Sequence, residues 1–462
     1  MSATPDLKAK AAAAPPRPSQ FALMRQRRFA PFFWTQFAGA ANDNLFKFAF
    51  TVLVTYQLQV AWLPPALAGL VIGAVFILPF VLCSATSGQL SDKLEKSRVI
   101  RAVKNLEIAI MAAAAAGFLL PQPGLQAALL LTCTFLMGLH STVFGPLKYA
   151  LLPQVLEEHE LTGGNGLVEM GTFLAILLGN LAGGLLIALP EVGPAAVAAA
   201  CLALAMLGRL SAQFVPILPA TDPALQLNWN AWRETLSHLR LARQDSVLFS
   251  TLLGISWLWF FGAVFLAQFP VLAKEVLHGS EGVASLLLLM FSLGIAGGSL
   301  LCEIFSRGRL ELGLVPLGAL GMTVFSMDLY AACQGLPPRL SPSPALDAWA
   351  FLAQPTHWRV LADLFLLSAS AGLFSVPLYA LMQLRSPATH RARVVAANNV
   401  LNALFMVASA LLAGALLSLG LSVPQLLGGL GLANLAMLAL LCMRMPELMR
   451  RAMALLRRSE RA

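Results

Sequence analysis

The 462-residue chain is 58% hydrophobic and only 11% charged, with a mean hydropathy of +0.75, which excludes an ordinary soluble globular protein. Its net charge of +9 would suit a nucleic-acid binder, but the basic residues gather at the ends of long apolar blocks, as they do in a membrane protein. No nucleic-acid partner is expected.

The chain opens on an Ala/Pro-rich stretch through Gln20 that lacks an apolar core, so residues 1–28 are expected to form a disordered cytoplasmic arm and not a secretory signal. Twelve hydrophobic blocks follow: Pro31–Leu58, Ala66–Gln89, Val99–Leu120, Leu125–Pro146, Leu161–Leu189, Pro194–Phe214, Val247–Ala273, Gly282–Phe305, Leu310–Cys333, Trp358–Leu384, Val394–Leu419 and Pro424–Met443. About 20 apolar residues carry a helix across roughly 30 Å of hydrocarbon, so each block is read as one span. A polar stretch divides them six and six. The expected fold is an all-α polytopic membrane protein of twelve transmembrane helices in two pseudo-symmetric six-helix bundles. The bundles cover residues 29–215 and 246–444, with a cytoplasmic linker at 216–245 and a basic cytoplasmic tail at 445–462. Two such halves suit alternating access, because a shared site then lies between them near the midplane.

Placing the N-terminus in the cytoplasm puts Arg25, Arg27, Arg28, Lys93, Lys96, Arg98, Arg101, Lys104, Lys148, Arg391, Arg393 and most other bases on the cytoplasmic side, and leaves only Lys274, Arg339 and Arg359 opposite. That bias predicts both termini inside. In the linker, Trp229, Trp232, Leu236 and Leu239 recur at helical spacing beside Arg233, Arg240 and Arg243, the pattern of an interfacial helix on the membrane surface. The Pro-rich loop 334–357 receives no role. The six cysteines are scattered without paired spacing, so neither a disulfide framework, a metal site nor any other cofactor is expected.

Within the first span, Asn42, Asp43, Asn44 and Lys47 interrupt an aromatic run. Asp43 lies roughly 18 Å into the block by helical rise and shares a face with Lys47 four residues on, as an internal ion pair would. Ionisable groups this deep face a cavity or a partner, so Asp43 and Lys47 are substrate-site candidates, with Asn42 and Asn44 beside them. Glu169 in the fifth span reads equally well as a gate partner or a cavity residue, whereas Gly179 and Gly183 on that helix read as a packing face. In the eleventh span Asn398 and Asn402 share one face and are expected to line the cavity, with Asn399 as interhelical glue. His140, Gln268 and Gln383 are read as packing residues.

Gly88-Gln-Leu-Ser-Asp92-Lys93, followed by Lys96 and Arg98, closes the second span. Gly88 permits close helix approach, Asp92 suits the N-terminus of a neighbouring helix, and the bases suit carboxylates across the half-interface. This loop resembles the signature of the major facilitator superfamily, except that Glu95 stands where a glycine is usual. Glu303, Arg307, Arg309 and Glu311 form a weaker echo in the second half, and Arg391 and Arg393 complete the expected gate.

A more specific resemblance runs from about Arg28 to Arg444. It is carried by Phe33–Lys47 with its Asn-Asp-Asn, by Phe144-Gly-Pro-Leu-Lys-Tyr-Ala-Leu-Leu-Pro153, by Arg307–Pro316 and by Arg393–Met406. These segments are similar to the bacterial lysophospholipid transporters, above all to the transporter portion of proteins fused to a glycerophospholipid acyltransferase. The resemblance implies flipping of lysophospholipids, notably lysophosphatidylethanolamine, from the outer to the inner leaflet of the bacterial cytoplasmic membrane for reacylation. It also implies a membrane-embedded acid at Asp43, a monomer, and a cytoplasmic acyltransferase as partner. The family's base in the seventh span has no counterpart before Lys274, which leaves Lys47 as the nearest cation for a phosphate. Two other readings stand beside it. A proton-coupled exporter of hydrophobic compounds would titrate Asp43 or Glu169. An acyltransferase would need His and Asp separated by four residues, and His357 with Asp363 misses that spacing, so the chain is not expected to be an enzyme.

Overall fold

The computed structural model describes residues 19–58, 60–306, 309–336 and 345–459. The N-terminal arm up to residue 18 and Arg307 lie outside the described residues. Twelve long helices are α1 (Ala30–Val52), α2 (Pro65–Lys93), α3 (Lys96–Phe118), α4 (Pro123–Val155), α5 (Leu161–Ile187), α6 (Gly193–Gln213), α8 (Ser246–Val271), α9 (Glu281–Ser306), α10 (Leu314–Gln334), α12 (Trp358–Arg385), α13 (Arg391–Ser418) and α14 (Val423–Arg444). Three others lie outside this set: α7 (Ala231–Gln244) in the linker, the short α11 (Ala348–Leu352) and the C-terminal α15 (Glu447–Ser459). Ten of the long helices are apolar enough to cross a membrane on composition alone. The two that are not, α1 and α3, carry Asp43, Lys47, Lys104 and Glu107, and this polarity is tolerated because the bundle buries much of it.

The packing repeats. In the first half α1 packs on α5, α2 on α4 and α3 on α6; in the second α8 packs on α13, α9 on α12 and α10 on α14, which is the same pairing displaced by six spans. Between halves the contacts are likewise paired, α2 with α13 and α5 with α9. Small residues set the closest approaches, since without a hydrophobic drive in lipid van der Waals fit decides which helices meet. A Cβ on Gly183 would lie 2.5 Å from the Leu45 carbonyl oxygen, so α5 and α1 touch backbone to backbone.

Several helix ends differ from the expected blocks, and three of them move charged residues into helices. α4 runs through Pro146 to Val155, α3 begins at Lys96, and α13 begins at Arg391. A proline inside a membrane helix is tolerated where neighbouring helices bury the freed carbonyl, so Pro146 does not end the span. Lys148 is therefore seven residues inside α4, and Lys104 eight residues inside α3, neither at a helix edge.

Helix α7 lies against α2, α8 and α13, with His238 buried toward them and Trp229, Trp232 and Leu236 exposed. Burial, followed by the charges of Arg393 and His390, holds the His238 pKa down to about 4, even though the Glu234 carboxylate is 3.2 Å away. A histidine with a depressed pKa keeps its seat above its ordinary value and loses it as pH falls toward the depressed one. Hydrogen exchange in residues 231–244, corrected for intrinsic rate, should therefore rise between pH 6.5 and about 4, and His238→Gln should flatten that rise.

Candidate substrate site and gate

Side-chain hydrogen bonds join the halves at the linker end of the molecule, where α2 and α9 finish and α5 and α13 begin. Gly88 makes the first contact possible: an added Cβ would sit 2.6 Å from the Ala396 Cβ and 3.0 Å from the Arg393 Cα. One turn on, the fully buried Asp92 carboxylate accepts from the backbone N–H groups of Ala392 and Arg393, each at 3.3 Å, and so caps the N-terminus of α13. Arg393 Nε donates to the same carboxylate at 3.1 Å, and its Nη2 reaches Asp222 of the linker at 2.9 Å. Thr221 donates to Asp92 Oδ1 at 3.0 Å, and the Asp92 carbonyl accepts from Thr221 and Asp222 N–H. A second tie is the reciprocal amide pair of Asn165 and Gln383, at 2.8 and 2.9 Å, with Arg391 donating to the Gln383 carbonyl. Gln20 reaches the Leu300 carbonyl at 3.1 Å.

The bases expected to bridge from the Asp92 loop do not do so. Arg98 is exposed and only 3.8 Å from Glu95 of its own half, Lys93 makes no ion pair, and Lys96 is buried with no hydrogen bond to its Nζ. The bridging cation comes from the other half, because capping α13 already places Arg393 over Asp92. Glu303 borders Gly163 at the start of α5. Glu95 explains the missing glycine: its φ of −64° needs no left-handed residue, and its carboxylate accepts from Ser97 and Arg98 at the start of α3 and from Leu218 of the linker. Burial raises its pKa, but these donors outweigh burial and hold it below the usual range.

Deeper in the first half a polar cluster joins α1, α3 and α4. Asn42 Nδ2 donates to Glu107 Oε1 at 2.8 Å, Lys104 Nζ to Glu107 Oε2 at 2.6 Å, and His140 Nε2 lies 3.3 Å from that oxygen. Ser141 Oγ donates to Asp43 Oδ2 at 2.6 Å and sits 3.4 Å from His140 Nδ1. Asp43 is 9% exposed and its other oxygen accepts no bond. Successive residues on a helix point about 100° apart, which turns Asn42 into α3 and Asn44 toward Gly179 of α5. Neither asparagine serves the cavity as expected: Asn42 is fully buried on Glu107, and Asn44 bonds the Ala40 carbonyl at 2.8 Å. The expected Asp43–Lys47 ion pair is also absent. Ser141 takes the acid, and the Lys47 ammonium lies 3.8 Å from the centre of the Phe76 ring on α2, a cation–π contact.

A second group spans the halves. Glu169 accepts from Tyr149 Oη at 2.6 Å; the Tyr149 ring stacks on Tyr379 of α12 with centroids 4.5 Å apart; and Trp259 of α8 donates to Tyr379 Oη at 3.0 Å. Lys148 donates to Thr172 Oγ1 at 2.7 Å, and Thr172 in turn meets Gln36 of α1. Glu169 thus anchors an aromatic crossing and takes no part in the Asp92 gate. In α13 Asn398 donates to Asn402, which also accepts from Ser256 of α8 and so ties helices of one half, whereas Asn399 lies between helices, against Gly145 of α4 across the halves, without a hydrogen bond to its Nδ2. Hydropathy places Lys104 and Lys148 at span edges, and Glu107, eleven residues inside α3, is not singled out by the sequence reading. The three-residue spacing of Lys104 and Glu107 was the available signal for a helix-face pair.

Together these features define a twelve-helix carrier with paired halves, a charge-locked end and a polar spot enclosed by aromatic side chains. The chain belongs to the Major Facilitator Superfamily, whose sequence profile matches residues 32–337. It is a family of transporters and not of enzymes. A lysophospholipid transporter of Serratia proteamaculans is 28% identical over 355 residues, covering 76% of this chain and 78% of that protein. One of Yersinia pestis is 29% identical over 301 residues, covering 63% and 69%. The fold is similar to a human organic anion transporter, with a TM-score of 0.65, 16% identity and coverage of 91% of this chain and 100% of that one. It is also similar to the E. coli fucose:proton symporter, with a TM-score of 0.64, 13% identity and coverage of 92% and 98%.

Two measurements separate lock from site. Asp92→Asn removes a charge from a buried, hydrogen-bonded pair, a loss of about 3–5 kcal/mol where no relaxation compensates. Ligand-free cysteine accessibility should then shift by at least tenfold toward opening at the linker end; an unchanged pattern would contradict the lock. Glu107→Gln strands the Lys104 ammonium and should lower thermal stability and yield, whereas Lys104→Met/Glu107→Met should recover most of both, because an apolar pair of similar volume replaces a buried ion pair at little cost.

Proposed function

We propose that the protein moves lysophospholipids, notably lysophosphatidylethanolamine, from the outer to the inner leaflet of the bacterial cytoplasmic membrane by alternating access. The linker end and both termini are taken as cytoplasmic, and the product is destined for reacylation by a separate cytoplasmic acyltransferase. The observation that carries the reading is the composition of the polar spot. A few charged groups, Asp43, Lys47 and Lys148, lie among Phe76, Tyr149, Tyr379 and Trp259, which suits a cargo with one zwitterionic head and one apolar tail. A sugar carrier would need many more buried donors and acceptors, since each one left unmet costs about 1–3 kcal/mol. The curated relatives named as lysophospholipid transporters support the same cargo.

In this reading the phosphate is drawn to Lys148 and Lys47. The Thr172 hydroxyl holds Lys148 in place, and the Phe76 face holds Lys47 without neutralising it. Asp43, with one oxygen unbonded, meets the ammonium of an ethanolamine head. The closed linker end corresponds to the state that receives cargo from outside, and the stacked Tyr149 and Tyr379 rings form its floor.

Uptake of labelled lysophospholipids into proteoliposomes tests this. Lys148→Ala should reduce uptake at least tenfold and Lys47→Ala by a similar factor, a loss of about 1.4 kcal/mol or more. Asp43→Asn should weaken lysophosphatidylethanolamine uptake more than that of a headgroup lacking an amine. Unchanged uptake in both lysine variants, in well-folded protein, would exclude this site, and drug efflux without lipid uptake would favour an exporter.

A further inference from the structure

A second lipid site, separate from the cargo path, is built into the outer face of the first half. We propose that the groove between the start of α1 and the end of α6 binds one anionic glycerophospholipid of the surrounding leaflet. The groove has a volume of about 410 Å³ and is lined by Arg25, Arg27, Pro31, Trp34, Ser211 and Phe214, among others.

Its charge is unopposed. Of the three arginines at positions 25, 27 and 28, only Arg28 is engaged, donating to Gln26 Oε1 at 2.6 Å, to the Val155 carbonyl at 2.7 Å and to Glu160 at 2.6 Å. Those three bonds fix the turn that leads into α1. Arg25 and Arg27 stand exposed on that turn, and neither forms an ion pair among the described residues. The first turn of α1, where Pro31 lines the groove, carries no acidic residue to offset these charges.

The walls are apolar. Trp34 is 50% exposed and Phe214 52% exposed, flanking the groove at the level of the helix ends. Large amphipathic rings occupy that depth in membrane proteins, beside the headgroups. Two free guanidinium groups recognise a phosphodiester; Trp34 and Phe214 recognise the glycerol and the upper acyl chain; and the Ser211 hydroxyl adds one polar contact. A zwitterionic lipid would bring its own cation against Arg25 and Arg27, which selects for a net negative head. The site is distinct from the cargo spot, since Trp34 is 50% exposed on the outside of α1, whereas Gln36, which meets Thr172 beside Lys148, is buried on another face of that helix.

Native mass spectrometry of the detergent-purified chain tests this, with phosphatidylglycerol or phosphatidylcholine of the same acyl chains added. The wild type should retain one phosphatidylglycerol about tenfold better than phosphatidylcholine, the scale expected of two interfacial arginines. R25Q/R27Q should lose that preference, while R98Q, which removes an equally exposed charge from the linker end, should keep it. Brominated phosphatidylglycerol should quench tryptophan fluorescence less in W34F than in the wild type, an arm that needs no charge change. The proposal is overturned if R25Q/R27Q retains the preference, if R98Q loses as much, if both lipids bind equally, or if quenching is the same in W34F.

Discussion

One carboxylate sets how the two halves meet. Asp92 is fully buried at the end of α2 and is held by the N-terminus of α13, by the Arg393 guanidinium and by Thr221 of the linker. In hydrocarbon every polar group must find its partner within the protein, so a cross-half charge at this depth is either paired or very costly. Other features of the linker end serve that pairing. Gly88 lets α2 approach α13 closely enough, Glu95 starts α3 and pins Leu218, and the linker returns over the site through Asp222. The result is a buried, charged tie between the halves made of a few bonds at one end.

The buried polar groups divide by what surrounds them. Lys104, Glu107, His140 and Asn42 satisfy one another inside a single half, and their chemistry is mostly used up in holding α1, α3 and α4 together. Asp43, Lys47 and Lys148 are less completely used: the acid keeps a bare oxygen, one lysine rests on an aromatic face and the other on a hydroxyl. Partly satisfied charge beside stacked aromatic rings offers a polar head something to gain on entering. Fully satisfied charge would not.

Much of this was legible in the sequence. The block lengths and the six-and-six division reflect the thickness of the bilayer, which acts on every helix alike, and the fold follows them. Gly88 and Asp92 were legible because close approach and helix capping need those residue types. The differences have two causes. Span edges were drawn where hydropathy falls, and hydropathy falls wherever a helix carries functional charge, so Lys104 and Lys148 were assigned to the membrane edge when they are buried inside α3 and α4. Asp43 and Lys47 have the spacing of a pair, yet Ser141 and Phe76 on neighbouring helices compete for them, and no spacing along one helix records such competitors. The Asn402–Ser256 tie has the same origin, because it depends on which face of α13 meets α8.

The central claim is that a lysophospholipid, entering between the halves, drives opening of the Asp92 end. Spin labels at two exposed positions flanking that end, Arg98→Cys in the first half and Arg385→Cys in the second, with the native cysteines replaced, report its width by pulsed electron resonance in lipid nanodiscs. Adding lysophosphatidylethanolamine should move population to longer distances, and a hydrophobic cation of similar size should leave the distribution as it was. A distribution unmoved by the lysolipid, or moved equally by the cation, would contradict the account.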